Sequence, residues 1–165
     1  MPVMSIGQVA EMLTMLILGS TLRALGWRTT MIIGILGHAL RFAVFAFLPQ
    51  FTALIVAVNI IHGVCYAFFF ATVYIFVDEY FPKDIRASAQ GLFNVMIFGV
   101  GALVANTACP YLMQTVFTNP NNHVTDFRSL FLVPLFTAVL AAVVLALFFH
   151  PPRKKEVTPA SVAAR

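Results

Sequence analysis

Residues Leu130 to Phe149 read LFLVPLFTAVLAAVVLALFF, a run without one charged side chain. A helix rises about 1.5 Å per residue, so about 20 such residues cross roughly 30 Å of bilayer hydrocarbon. The run does not alternate apolar and polar residues, as a barrel strand of about 10 residues would. In the bilayer core no water is at hand for the backbone, and a helix satisfies its own N–H and C=O groups. Four more stretches share this character, at about 3–22, 30–48, 51–77 and 87–114. The expected fold is an all-α integral membrane bundle of five transmembrane helices over residues 1–150, with a disordered cytoplasmic tail over 151–165.

Composition points the same way. The chain is 61% hydrophobic and 10% charged. A soluble domain carries about 25% charged residues, so no ordinary soluble fold fits. The net charge of +4 does not mark a nucleic-acid partner, because the basic residues sit at helix ends. Cys65 and Cys109 both fall within spans, which argues against a disulfide framework and a zinc site. No metal or cofactor is expected. No Ser/His/Asp set or phosphate loop is present, so an enzyme is not expected either.

Basic residues cluster in the first connection (Arg23, Arg28), the third (Lys83, Arg86) and the tail (Arg153, Lys154, Lys155). The positive-inside rule places these three in the cytoplasm. The N-terminus and the remaining connections then face outward. Five spans in that orientation, starting almost inside the first, point to the C-terminal part of a longer protein. Pro110 and Pro134 each remove a backbone donor and are expected to kink their helices. Gly99, Gly101 and Ala105 are expected to allow close helix approach.

Ionisable groups at membrane depth are costly, about 2.5–3.5 kcal/mol on insertion scales, and mark partners, protons or substrates. Glu11 is the foremost of them, with Gln8 three positions earlier on the same helical face. Arg41 is its natural partner. Both lie about 18–20 Å from the cytoplasmic ends of neighbouring helices, at about 1.5 Å per residue. A structural Glu11–Arg41 ion pair and a functional Glu11 are compatible readings. His62 falls within about a turn of that depth and could relay protons or simply pack between helices. His38, a turn before Arg41, reads in the same two ways. Tyr66 heads an aromatic stretch with Phe68, Phe69, Phe70 and Tyr74, where a flat ring could stack. Asn94 lies deep enough in the fourth span to bond a ligand or another helix.

Three strings then carry a resemblance: Ser5-Ile6-Gly7-Gln8-Val9-Ala10-Glu11, Leu40-Arg41-Phe42-Ala43-Val44-Phe45-Ala46 and Arg86-Ala87-Ser88-Ala89-Gln90-Gly91. Their order and spacing resemble spans eight to twelve of the bacterial nucleoside:proton symporters of the major facilitator superfamily, over roughly residues 3–150. The resemblance implies part of a C-terminal bundle that faces missing N-terminal helices of the same permease across a cavity. Gln8 and Glu11 would line the nucleoside site, with Tyr66 as the aromatic. The chain departs from the family's known nucleoside permease at Ala67, where that permease has an acid, and at Phe70, where it has Asn. Glu11 or His62 then takes the proton role.

The function this implies is proton-coupled transport of nucleosides, or a related small polar solute, across the bacterial inner membrane. Substrate-binding candidates are Gln8, Glu11, Tyr66 and Asn94. Two competing readings remain: a sugar or oligosaccharide:proton symporter on the same scaffold, and a membrane scaffold protein in which Glu11–Arg41 is purely structural.

Overall fold

The computed structural model describes residues 2–120 and 124–151, the side chains of residues 2–4 and 6 excepted. The expected tail lies, beyond Pro151, outside the described residues. Four long apolar helical runs are present among the described residues: α1 (Pro2–Phe47), α2 (Thr52–Tyr80), α3 (Lys83–Val116) and α4 (Phe127–Phe148). The architecture is all-helical, as expected. The first connection differs from expectation. Residues 23–29 are helical apart from Gly26, which alone breaks α1 with φ 76° and ψ 169°. A side chain would clash with the backbone at such a positive φ, so glycine is the residue that allows this break. Thr30, fully buried, donates its hydroxyl to Gly26 O at 2.8 Å.

The two arms of α1 lie along α2 in opposite directions. On the N-terminal arm, Gly7 approaches Asn59, Ala10 and Glu11 approach Gly63, and Leu18 packs with Ala67 and Phe68. On the C-terminal arm, Trp27 meets Phe76 and Tyr80, Gly34 approaches Phe68 and Phe69, and Gly37 approaches Ile61 and Cys65. The first arm therefore runs with α2 and the second against it. Glycines make this possible, because lipid supplies no hydrophobic drive between helices and close van der Waals approach must hold them.

Helix α4 completes this core. Phe131 packs on Phe45 with ring centroids 5.5 Å apart, Arg128 lies over the Phe47 ring, and Phe149 meets Phe76. Helix α3 stands apart. It meets α2 near its start, through Arg86–Asp78 at 2.9 Å and the ring pairs of Phe93 with Phe70 and Tyr74. No residue of α3 is buried. Gly99 and Gly101 approach only their own helix, contrary to the expected close packing against a neighbour. The third connection, expected over 78–86, shrinks to Phe81 and Pro82. Asp78 stays in α2, and its bond to Arg86 closes the turn.

The Gly26 break, the α2–α3 turn and the end of α4 lie at one end of the bundle. Trp27, Phe76, Tyr80 and Phe149 form a connected ring cluster there. Arg23, Arg28, Lys83 and Arg86 gather at that end.

Candidate functional site

The site is built around the middle of α2. Gly63 there has no side chain because the N-terminal arm of α1 occupies the space. A Cβ would stand 2.3 Å from Gly7 O and 2.5 Å from Glu11 N. This contact sets the depth of Glu11: its backbone sits level with Gly63, one residue from His62 and one helical turn before Tyr66. The Glu11 side chain is half-buried and Gln8 is exposed.

Arg41 comes to the same level from the other arm, as the depth argument expects, but it does not pair with Glu11. Its Nη1 lies 3.0 Å from His62 Nδ1. The expected Glu11–Arg41 ion pair is therefore corrected. Arg86 pairs with Asp78, at the far end of α2. The physical reason is the seam. His62 lies between the arms, with its Cδ2 3.9 Å from the position a Gly7 Cβ would take, and it reaches the guanidinium first. His38 packs edge-on against His62 with centroids 5.7 Å apart, and Arg41 also lies 5.3 Å over the Phe45 ring. Arg41 Nε is buried without a hydrogen-bond partner. Buried Cys65 stands a turn further along α2, against Gly37.

Beyond this level an aromatic strip begins. Tyr66 packs on Phe70 with centroids 5.1 Å apart and planes tilted by 35°. Phe70 meets Phe93, which meets Tyr74 edge-on. The Tyr74 hydroxyl donates to Asn94 Oδ1. Asn94 thus spends its carbonyl oxygen on α2, and its amide N–H groups are what it can offer a ligand. The strip runs through a π-helical segment, Ala67–Ala71, whose wider turn follows directly on Tyr66. Such segments are frequent at functional sites.

The candidate residues therefore form two groups. Glu11, His62, Arg41 and His38 meet at one level across α1 and α2. Tyr66 and Asn94 belong to the aromatic strip joining α2 to α3. No hydrogen bond joins Gln8 or Glu11 to Tyr66 or Asn94 among the described residues. Gly63 is not among the residues expected from the sequence, and Tyr74 is expected there as a stacking ring, not as the partner of Asn94. The signal for Gly63 was the small residues Gly7 and Gly63 on facing helices; for Tyr74 it was a hydroxyl at membrane depth that needs a partner.

Comparison with known proteins supplies the family. The sequence profile of the family described as nucleoside H+ symporter matches residues 1–154. The chain is 33% identical to the nucleoside permease NupG of Escherichia coli K12 over 88% of its own length and 35% of that protein's. It is 31% identical to the xanthosine permease of the same organism, over 92% of this chain and 37% of that one. A crystal structure of nucleoside transporter NupG superposes with a TM-score of 0.76 at 32% identity, covering 90% of this chain and 37% of that chain. An aspartate-to-alanine mutant of the same transporter gives 0.77. The chain thus spans a little over a third of the length of the relatives it matches. It belongs to the nucleoside H+ symporter family.

Proposed function

We propose that this chain carries one wall of a proton-coupled nucleoside transport site in a multi-pass protein of the bacterial inner membrane. Each arm of α1 would cross the bilayer separately, giving five crossings with the tail in the cytoplasm. The opposite directions of the arms and the basic residues gathered at one end support this. Further helices, corresponding to the rest of the relatives' length, would supply the other wall. Substrate would sit at the midplane between the walls, reached from alternate sides. Gln8 and Glu11 would bond the sugar hydroxyls. Tyr66, backed by Phe70, would stack on the base, and the Asn94 amide would donate to it.

The observation that carries the reading is Glu11: a half-exposed carboxylate at membrane depth with no ion pair among the described residues. Its cost is explained if it borders a wet, solute-accepting crevice. A scaffold protein would be expected to seal that carboxylate against Arg41, and the guanidinium is engaged elsewhere.

The test is a chimera in which residues 3–150 replace the matching segment of the E. coli permease, expressed in cells lacking nucleoside permeases. Accumulation of radiolabelled uridine, unaffected by excess sugars, is expected. Competition by sugars would favour the sugar-permease reading instead. Glu11→Gln should lower uptake about 10- to 100-fold, the loss of a charge-assisted hydrogen bond of about 1.5–3 kcal/mol. Uphill uptake that survives Glu11→Gln would refute the assignment.

A further inference from the structure

The bond between Arg41 and His62 can exist in one protonation state only. Arginine has five N–H donors, no acceptor, and stays charged. At 3.0 Å from Arg41 Nη1, His62 Nδ1 must therefore accept. It carries no proton, the ring is the neutral Nε2–H tautomer, and the imidazole is uncharged. A proton arriving at Nδ1 takes the lone pair that the guanidinium uses. It also sets two cations against each other at hydrogen-bond distance. His62 protonation and the Arg41–His62 bond exclude one another.

The surroundings give both partners somewhere to go. Arg41 is loosely satisfied: its Nε is buried without a partner. Glu11, whose carboxylate has no ion pair among the described residues, has its backbone at the same level on the opposite arm of α1. The other groups around His62 are few. His38 packs on it from the C-terminal arm of α1, and Cys65 and Tyr66 are its titratable neighbours on α2. From α4 the cation is Arg128, which lies over Phe47, more than a turn past Arg41. From α3 the charged residues, Lys83, Asp84 and Arg86, sit at the far, charged end of the bundle. Glu11 is thus the carboxylate within this level for either cation.

We infer that His62 is the proton-carrying switch of this protein: a proton bound at Nδ1 releases Arg41, and the freed cation pairs with Glu11. In the neutral state the histidine ties α2 to the C-terminal arm of α1. In the protonated state the tie passes to the two arms of α1, and the paired carboxylate is held in place with lone pairs left for solute hydroxyls. Protonation and solute binding are coupled through one guanidinium with two alternative acceptors, a two-state element of the kind that switching requires.

The coupling role rests on the transport reading above; the switch itself does not, and is tested first. The protein with 15N-labelled histidine and arginine is placed in lipid bilayers and followed by solid-state NMR, with His62→Gln identifying the His62 signals. At neutral pH the His62 ring is expected to show an unprotonated Nδ1 in contact with the Arg41 side chain. On acidification both nitrogens become protonated and the contact disappears. A protonated Nδ1 at neutral pH, or a contact that outlives full protonation, overturns the proposal. The second test uses the chimera. Glutamine can accept from Arg41 through its amide oxygen but cannot titrate. His62→Gln should abolish accumulation against a gradient, leaving only equilibration, while exchange of labelled for unlabelled nucleoside continues. Accumulation that persists, or exchange that is lost with accumulation, overturns the coupling role. A chimera inactive before substitution would count against the nucleoside reading, and the NMR result would still decide the switch.

Discussion

Helix α2 is gripped from two sides, whereas helix α3 is held only at its root. On α2, Val58, Cys65, Ala67 and Thr72 are all within 2% of complete burial. A Cβ added to Gly63 would meet α1 backbone at 2.3 and 2.5 Å, and one on Gly37 would meet Cys65 Sγ at 2.4 Å. On α3, no residue is buried, and a Cβ on Gly91 would meet nothing within 4 Å. Yet both helices are long and apolar enough to cross a bilayer. Hydropathy tells that a segment suits lipid; it does not tell what the segment packs against. Small residues at facing positions tell that, and only where the facing helix is part of the same sequence.

The largest effect expected from this contrast is on stability. Gly63→Ala must push the first arm of α1 off α2, because the obstacles are backbone atoms that cannot rotate away. A cost at the upper end of about 1–3 kcal/mol is expected for such overpacking. Gly91→Ala adds a methyl group to open space and removes a flexible residue from a helix, a gain of up to about 1 kcal/mol. Thermal unfolding in detergent, followed by the fluorescence of Trp27 at the Gly26 break, separates the two. Equal melting temperatures for the two variants would erase the distinction between the helices.

A chemical test comes next. Cys65 is buried and Cys109, on α3, is exposed. A maleimide added to the folded protein in detergent should modify Cys109 at least about tenfold faster than Cys65, which must wait for local opening. Rapid labelling of Cys65 would mean that the α1–α2 seam is open. Protection of Cys109 when the chain is carried in the chimera would mean that further helices cover α3.

Much of this was legible in the residues. The helical spans follow from runs such as 130–149, and the level at which Glu11, Arg41 and His62 meet follows from counting residues from the helix ends. The pairing at that level was not legible. Depth is a one-dimensional coordinate, and Glu11, His62 and Arg41 share it; which two touch depends on the angle of α2 between the arms, set by Gly7, Gly37 and Gly63. The Gly26 break was hidden for a different reason. Arg23 and Arg28 mark a membrane boundary by charge, but they are good helix formers, so the helix continues through both and one glycine makes the turn. The Tyr74–Asn94 tie needed the angle between α2 and α3, and no sequence period encodes that angle.

That tie offers a sharper look at the root of α3. Tyr74→Phe keeps the ring against Phe93 and removes only the hydroxyl that Asn94 accepts. About 1 kcal/mol is expected, the net worth of an ordinary intramolecular hydrogen bond. The consequence should appear as faster amide exchange across Val95–Gly101, the π-helical segment that follows Asn94. Unchanged exchange there would mean that the ring contacts of Phe93 alone fix α3.

The smallest effect concerns the far end of α3, where the connection to α4 is closed by Asp126. The carboxylate caps α4, accepting from Ser129 N at 3.2 Å and from Ser129 Oγ at 2.5 Å. The Ser129 hydroxyl, then its backbone N–H, hold this carboxyl below the usual carboxylate range. Because the folded value lies below the unfolded one, the ionised cap stabilises fully above about pH 4, the ordinary range of an aspartate. That contribution is lost as the pH falls through the lowered folded value. Asp126→Asn keeps an acceptor for Ser129 and removes the titration. The difference in melting temperature between the two proteins should therefore be constant above about pH 5 and shrink toward pH 2, with the native protein losing more. A gap that widens on acidification would mean that the cap is held by something other than the Asp126 charge, and that the α3–α4 connection is fastened by the Thr118–Thr125 hydroxyl pair instead.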